Sequence, residues 1–213
     1  DLDIFEVQKR LSFPKVINEY LKMVKKSIDK KVSQDIESIM GRIYNYIMIK
    51  LYDKIFPIEP NENDNKIFQQ SIKLSWTEPK HFIKSNKYVL GSFLTDISKY
   101  FSLMDIEKSP TKKGFFMSEI FNAIELLMKF NGKGGEIGVD DQMPLLNYAA
   151  IKATPFRMYS NAKYMELYIG EEKLENQASQ LTQFIGICDV IKDMDYTKLN
   201  DVTKEEYIKK INE

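Results

Sequence analysis

Residues 139–168 read VDDQMPLLNYAAIKATPFRMYSNAKYMELY, and the way this stretch begins decides how the chain around it folds. Asp140 and Asp141 stand just before Pro144 and a dense apolar run, a pattern that predicts a helix near 140–153. One aspartate can cap this helix while the other complements the positive end of its dipole. A helix start can also hold a short carboxylate rigidly towards a partner. The residues alone leave both interpretations open.

Apolar residues at helical spacing dominate the rest of the chain. The pattern is clearest over 33–56, where Pro57 and Pro60 are expected to stop the helix. Pro14 fits the first turn of an earlier helix. That helix has a predicted apolar face of Val16, Ile17, Tyr20, Leu21, Val24 and Ile28. Further helices are predicted at 89–104, 116–130, 159–168, 174–193 and 203–211. No run alternates with a period of two, so we predict an all-α fold.

Three polar or glycine-rich segments interrupt the helices. Loops are predicted at 57–66, 107–114 and 131–138, the last being the most glycine-dense stretch of the chain. The first of these is the best internal boundary, and it divides an N-terminal helical bundle (1–60) from a larger domain (61–213). Between them, Thr77 is expected to cap a short helix that has Pro79 among its first residues.

Composition and charge argue against several functional classes. The 213 residues carry 31 lysines and arginines against 31 aspartates and glutamates, with no basic block. We therefore expect neither nucleic-acid binding nor attachment through a polybasic surface. No apolar run approaches the roughly 18 residues of a membrane span, and the charged N-terminus does not resemble a signal peptide, so we expect no direct membrane insertion. Because the chain does not begin with methionine, we expect it to be part of a longer protein.

The sequence contains no obvious group of residues for covalent catalysis or for metal binding. His81 is the only histidine and is expected in a lysine-rich surface turn, which argues against histidine metal sites and a serine–histidine–aspartate triad. Cys188, the only cysteine, falls on an apolar helix face and is expected to be a small core residue; a lone cysteine also fits a reducing, cytosolic setting. The glycines of 132–138 follow a helix and lack the Lys-Ser/Thr pair of a phosphate loop. We predict no metal and no cofactor.

The stretch beginning at Val139 resembles the signature of the vacuolar protein sorting nine domain family. That signature reads approximately Asp-Asp/Glu-x-x-Pro, an apolar stretch, Tyr, Lys-Ala-x-Pro, then Ser-Asn and Tyr. The positions in register are Asp140, Pro144, Tyr148, Lys152, Ala153, Pro155, Ser160, Asn161 and Tyr164. Weaker similarity extends upstream, to WTEPKHF (76–82) and SPTKKGFFMSEIFNAI (109–124). The resemblance covers about residues 70 to 195 and implies a layered helical domain, with 1–60 as the helical bundle that often precedes it.

The family resemblance implies guanine nucleotide exchange on a Rab-type small GTPase of the Rab-five branch, without covalent chemistry of its own. In the family the first aspartate of the pair is an acidic finger that reaches the nucleotide site of the GTPase, and here it is Asp140. Pro144 is implied to stiffen the turn that carries the finger, while Asp141 is a weaker partner-binding candidate. The implied location is cytoplasmic, with peripheral recruitment to early endosomes.

One family motif is only partly present. Where the family has Gly-Tyr-Tyr-Phe-Thr-Asn at the start of a late helix, this chain has ASQLTQ (178–183). Thr182 keeps the threonine that contacts the GTPase, but Ser179 replaces the contacting tyrosine. Two hypotheses follow from this motif: an active exchange factor, or a Rab-binding module that has kept the fold and lost exchange activity. A third, weaker one is a plain helical scaffold in which Asp140 is only a cap.

Overall fold

The computed structural model describes residues 4–29, 36–57, 59–83, 91–131, 138–169 and 177–213, with side chains of the first helix over residues 12–28. These residues form α-helices and short 3₁₀ turns and contain no β-strand, which confirms the all-α prediction. The α-helices are α1 (Ile4–Asp29), α2 (Ile36–Ile55), α3 (Glu62–Lys73), α4 (Gly91–Ile106), α5 (Pro110–Phe130), α6 (Val139–Ala153), α7 (Met158–Tyr168), α8 (Ala178–Lys192) and α9 (Lys204–Asn212).

The main core lies among α3 to α8. α4 and α5 form an antiparallel pair, with Tyr100 against Phe116 near one end and Phe93 against Phe130 near the other. α6 packs against α3, α4, α5 and α8, so most of its surface is covered. This central position explains why every residue from 145 to 151 is buried.

A second, smaller core joins the N-terminal helices to α7. It is formed by Ile17, Met48, Ile55, Phe56, Tyr164 and Tyr168. Tyr164 meets the rings of Tyr52 and Phe56 edge-on, with centroids 5.6 and 5.3 Å away. The two parts of the chain therefore share apolar contacts, and the division at residue 60 remains our proposal.

Three helix starts differ from the sequence prediction. α1 already begins at Ile4, so Pro14 lies inside the helix and not in its first turn; the proline removes one donor from the ladder while the flanking hydrogen bonds continue. α3 begins within the predicted linker, because Asn61 and Asp64 cap each other's backbone N–H groups at 2.9 and 3.1 Å. α5 begins at Pro110, which shortens the predicted loop to 107–109, because Ser109 accepts the N–H of Lys112.

The segment around residue 80 also differs from the prediction. A 3₁₀ turn spans Pro79–His81, which confirms the early helical position of Pro79. Thr77 does not cap this turn: it is buried, and its hydroxyl donates to the Leu74 carbonyl at 2.7 Å. His81 is buried rather than on the surface, because its Nδ1 accepts the Glu78 N–H at 3.0 Å and its ring packs against Trp76.

The remaining predicted helices are confirmed to within a few residues. Parts of four predictions lie outside the described residues, namely 33–35, 89–90, 132–137 and 174–176. Cys188 is fully buried on α8, as expected of a core residue. None of the described helices combines the length and the apolar character that crossing a membrane requires.

Candidate functional site

The first turn of α6 is held by a hydrogen bond that the Asp141 carboxylate accepts. Gly138 precedes the helix in an extended conformation, and its N–H donates to Asp141 Oδ2 at 3.2 Å. This contact satisfies one of the amides that a helix start leaves without a helical partner. Asp141 therefore fixes the start of the helix.

Asp140, the neighbouring residue, presents its carboxylate to solvent. Among the residues that the structure describes, none donates a hydrogen bond to this carboxylate or forms an ion pair with it. Its position in the first turn of α6 is favourable for a negative charge because the helix dipole is positive there. The two aspartates thus differ in role: one is tied to the backbone, and the other is available to a partner.

Pro144 is the sixth residue of α6 and lies in its second turn, not its first. Without an N–H, it cannot donate to the carbonyl of Asp140 four residues earlier. The hydrogen bond to Asp141 and the burial of the helix from Leu145 onward hold the first turn instead. Pro144 itself is half-buried, so part of its ring is accessible next to the exposed carboxylate.

The first turn of α8 carries the other two residues that the resemblance selected. Ser179 is exposed and accepts a hydrogen bond from Gln183 Nε2 at 3.2 Å. Thr182 is exposed and donates to the Ala178 carbonyl at 2.9 Å. Within the part of the chain that the structure describes, no other helix holds either side chain, and both are exposed.

α6 and α8 pack against each other and end on the same side of the domain. Near the end of α6, Lys152 donates to the Ser75 carbonyl at 2.6 Å, and just after α8, Gln70 donates to the Met194 carbonyl at 2.6 Å. Ser75 follows the end of α3 by two residues, and the Met194 carbonyl contacts Gln70 near that end. The C-terminal ends of α6 and α8 therefore both lie near the end of α3.

Large apolar side chains are exposed at the first residue of α6 and on the last turns of α5. Val139 is 48% exposed, and on the last turns of α5 Leu126 and Phe130 are 59% and 70% exposed. Exposed apolar side chains are typical of surfaces that bind another protein when they form a contiguous patch. The apolar spacing of α5 is the signal that could have indicated them: Ile124, Leu127 and Met128 form its buried face, and Leu126 and Phe130 fall outside it.

The described residues offer little for covalent or metal chemistry. They contain no group of three or more His, Cys, Asp or Glu side chains placed to hold a metal ion. Burial lowers the pKa of His81 and raises the pKa of the Cys188 thiol, so neither group resembles an activated base or nucleophile. The surface around Asp140 is suited to binding through charge and shape.

Comparison with known proteins agrees with this interpretation. Residues 94–196 match the Vacuolar sorting protein 9 (VPS9) domain. The chain is 28% identical over 153 residues to the human protein named Rab5 GDP/GTP exchange factor, a match that covers 65% of this chain and 29% of that protein. It is 24% identical over 152 residues to Vacuolar protein sorting-associated protein 9A of Arabidopsis thaliana, covering 68% of this chain and 29% of the relative. The matches thus span under a third of these relatives. The helical fold, the register of the signature and these matches agree that residues 94–196 of this chain are similar to the VPS9 domain.

Proposed function

We propose that this chain promotes GDP release from a Rab5-type small GTPase, with Asp140 as the acidic finger. The observation that carries the proposal is the exposed Asp140 carboxylate, which has no partner among the described residues and stands on a helix whose following turns are buried. The relatives named Rab5 GDP/GTP exchange factor in human and mouse support the identity of the partner.

The mechanism follows from how a GTPase holds its nucleotide. A phosphate-loop lysine and Mg²⁺ neutralise the phosphates of GDP. A carboxylate that reaches this site pairs with the lysine and opposes the phosphate charge, which stabilises the empty state of the GTPase. Such an ion pair at about 4 Å is worth on the order of 4 kcal/mol at an effective dielectric constant of 20. Because the factor binds the empty state preferentially, it shifts the equilibrium towards release.

The other residues of the site have supporting roles in this proposal. Asp141 holds the turn that presents Asp140, and Pro144 and Thr182 contact the GTPase directly. Ser179 provides a smaller contact than a tyrosine would. No cofactor and no covalent chemistry of the protein's own are required. We also propose that the protein acts in the cytoplasm and is recruited peripherally to early endosomes, where a Rab5-type partner would be found.

A Rab-binding module without exchange activity is the second candidate function. It is favoured by Ser179, whose hydroxyl is exposed and contacts only its own helix neighbour Gln183 among the described residues. Such a module would bind the GTP-loaded GTPase more tightly than the nucleotide-free form. A pull-down with both forms separates the candidates, since an exchange factor prefers the nucleotide-free form.

Substituting Asp140→Asn removes the charge and keeps the shape, and it tests the proposal directly. We expect the variant to release fluorescent GDP from a Rab5-type GTPase about 30- to 3,000-fold more slowly than the parent chain, the equivalent of 2–5 kcal/mol for a buried charge pair. Thermal unfolding should change little, because the carboxylate has no partner among the described residues and only the helix dipole favours its charge.

Glu205→Gln is the matched control for this experiment. Glu205 is also an exposed acidic residue at the second position of a helix, α9, and it too lacks a described partner. Its substitution should leave the rate of GDP release unchanged. Equal release rates for Asp140→Asn and the parent chain would contradict the proposed role of Asp140.

A further inference from the structure

The first helix, α1, has a wider apolar surface than the rest of the described fold covers. Ile17 is buried at 5% exposure and belongs to the second core. Val16, Tyr20 and Met23 are 57%, 56% and 69% exposed. They follow one another at spacings of four and three residues, so they form one stripe along the helix. Tyr20 follows Ile17 by three residues, and the exposed stripe therefore borders the buried face of α1.

A row of charged side chains accompanies this stripe. Lys15, Lys22 and Lys26 are exposed and recur at spacings of seven and four residues, which places them along one side of α1. Glu19 stands in the same row and offsets one of the three positive charges. An apolar stripe bordered by lysines is typical of helices that lie in the plane of a membrane surface.

The second helix, α2, packs against α1 and adds to its positive charge. Over residues 12–28 and 36–55, six exposed basic side chains form no ion pair with a described residue, namely Lys15, Lys22, Lys26, Arg42, Lys50 and Lys54. Among the acids, Glu37 pairs with Lys25 at 2.7 Å, and Asp53 pairs with Lys108 at 3.0 Å. Glu19 is the one acid of these two ranges without an ion pair to a described residue.

The even charge balance of the whole chain therefore hides an uneven distribution of charge. Our expectation against a polybasic surface depended on that balance and on the absence of a basic block in the sequence. Basic residues that stand several positions apart in the sequence come together when the two helices form and pack. The N-terminal helices thus combine an excess of positive charge with exposed apolar side chains.

We infer that the α1 face formed by Val16, Tyr20, Met23 and the lysine row binds the surface of a membrane that contains anionic phospholipids. Such a surface carries negative charge on its head groups and has an apolar layer directly beneath them, so it satisfies both kinds of side chain. The tyrosine ring favours the same boundary. A nucleic acid would satisfy the lysines but leave the apolar stripe in water.

This mode of binding places α1 on the membrane and not across it. The lysine stems extend along the apolar stripe while their ammonium groups stay at the level of the head groups. The inference adds a physical route for peripheral recruitment to the proposed function. It does not depend on Asp140, so it can fail while the proposed exchange activity stands.

Sedimentation with phosphatidylserine-containing vesicles tests the inference, with vesicles of phosphatidylcholine alone as the lipid control. We expect the parent chain to bind the anionic vesicles and to bind them less as salt is raised, because salt screens exposed charges. The triple variant Lys15→Gln, Lys22→Gln, Lys26→Gln should bind about 100-fold more weakly, since each basic residue near an anionic surface contributes about fivefold. Met23→Ser keeps every charge and should bind about three- to tenfold more weakly, because it shortens the apolar stripe.

The matched control removes three lysines elsewhere in the chain. Its substitutions are Lys73→Gln on α3, Lys99→Gln on α4 and Lys204→Gln on α9, all at exposed lysines without an ion pair to a described residue. Because the loss of charge is the same but lies outside α1, this variant should bind the vesicles within about twofold of the parent chain.

Three results would overturn the inference: no binding of the parent chain to anionic vesicles, equal losses in the two triple variants, or full binding by Met23→Ser. The first result would leave the face to an acidic protein, and the third would reduce the contact to charge alone. Exchange on a soluble GTPase without vesicles separates this inference from the proposed function. The α1 triple variant should keep the parent rate of GDP release there, whereas Asp140→Asn should still be slow.

Discussion

Lys113 and Asp140 are charged residues near the starts of two consecutive helices, and their surroundings are opposite. Lys113 is 0% exposed, and its Nζ donates to the Met104 carbonyl at 2.5 Å and to Asn161 Oδ1 at 2.8 Å. The Nζ atom also lies 5.0–6.0 Å from three ring centroids, those of Tyr52, Phe56 and Tyr164. Asp140 is exposed and has no partner among the described residues.

The contrast separates groups that stabilise this fold from groups that bind a partner. Lys113 joins four helices, because its contacts come from α2, α4 and α7 while it belongs to α5. Removing a buried amine that donates to two buried acceptors in this way leaves both acceptors unpaired and is strongly destabilising. A charge that has no partner in its own chain contributes almost nothing to folding and keeps its full interaction energy for another molecule. Both residues match or adjoin the family signature, yet only one belongs to the proposed site.

Lys113→Ala should show the largest effect on stability. It removes the donor for two acceptors, those of Met104 and Asn161, and leaves a cavity within the ring cluster. We expect the free energy of unfolding, measured by urea denaturation, to fall by about 3–5 kcal/mol. Asp140→Ala should change it by less than about 0.5 kcal/mol.

Lys113→Ala and Asp140→Ala should rank in the opposite order when the rate of GDP release is measured instead of stability. At a temperature where Lys113→Ala is still folded, its rate of GDP release should approach that of the parent chain, whereas Asp140→Ala should be slow. A loss of exchange in folded Lys113→Ala, or a loss of stability above 2 kcal/mol in Asp140→Ala, would break the distinction between the two residues.

The stability contributed by Lys113 should depend on pH. Burial lowers the pKa of Lys113 to about 7; the carboxylates of Asp105 and Glu107 oppose this shift, and Arg157 adds to it. Between this value and the ordinary lysine pKa of about 10.4, the unfolded chain binds more protons than the folded one. Stability should therefore rise with pH over this window and be lost as the pH falls towards 7.

Lys113→Met serves as the reference for this measurement, because it removes the titrating group and keeps much of the side-chain volume. The difference in unfolding free energy between the parent chain and this variant should grow in favour of the parent by roughly 2 kcal/mol from pH 7 to pH 9. A difference that stays constant over these two pH units would show that Lys113 remains charged in the folded protein.

Much of this architecture could be predicted from the sequence because it depends on local spacing. The helices α2 and α5 to α9 follow the apolar period, and Gly138 and Asp141 follow the rules for helix starts. α3 was missed because its sequence, ENDNKIFQQSIK, has few apolar residues, and its start depends on a reciprocal cap. Helices that are fixed by local apolar spacing can therefore be predicted from the sequence.

The environments of Lys113 and Asn147 could not be predicted, since both depend on packing between distant parts of the chain. The lysine lies in a stretch, SPTKKG, that looks like a polar loop, and nothing nearby indicates that rings from α2 and α7 surround it. Asn147 looks like an ordinary interruption of an apolar run. Only the folded structure shows that its Oδ1 is buried without a hydrogen-bond partner among the described residues.

The smallest expected effect concerns Ser179, which has an exposed, weakly held side chain as Asp140 does, but carries no charge. Ser179→Tyr should raise kcat/KM for GDP release about three- to tenfold, because a ring adds contact area and a hydroxyl where the family resemblance expects tyrosine. The control is Ser102→Tyr, which adds the same ring at an exposed serine of α4. If the parent chain shows no exchange and Ser179→Tyr creates it, the parent chain is a binding module that kept its finger and lost its aromatic contact. If both tyrosine variants behave like the parent chain, contact area at position 179 does not limit the reaction, and the charge of Asp140 carries the exchange without help from this position.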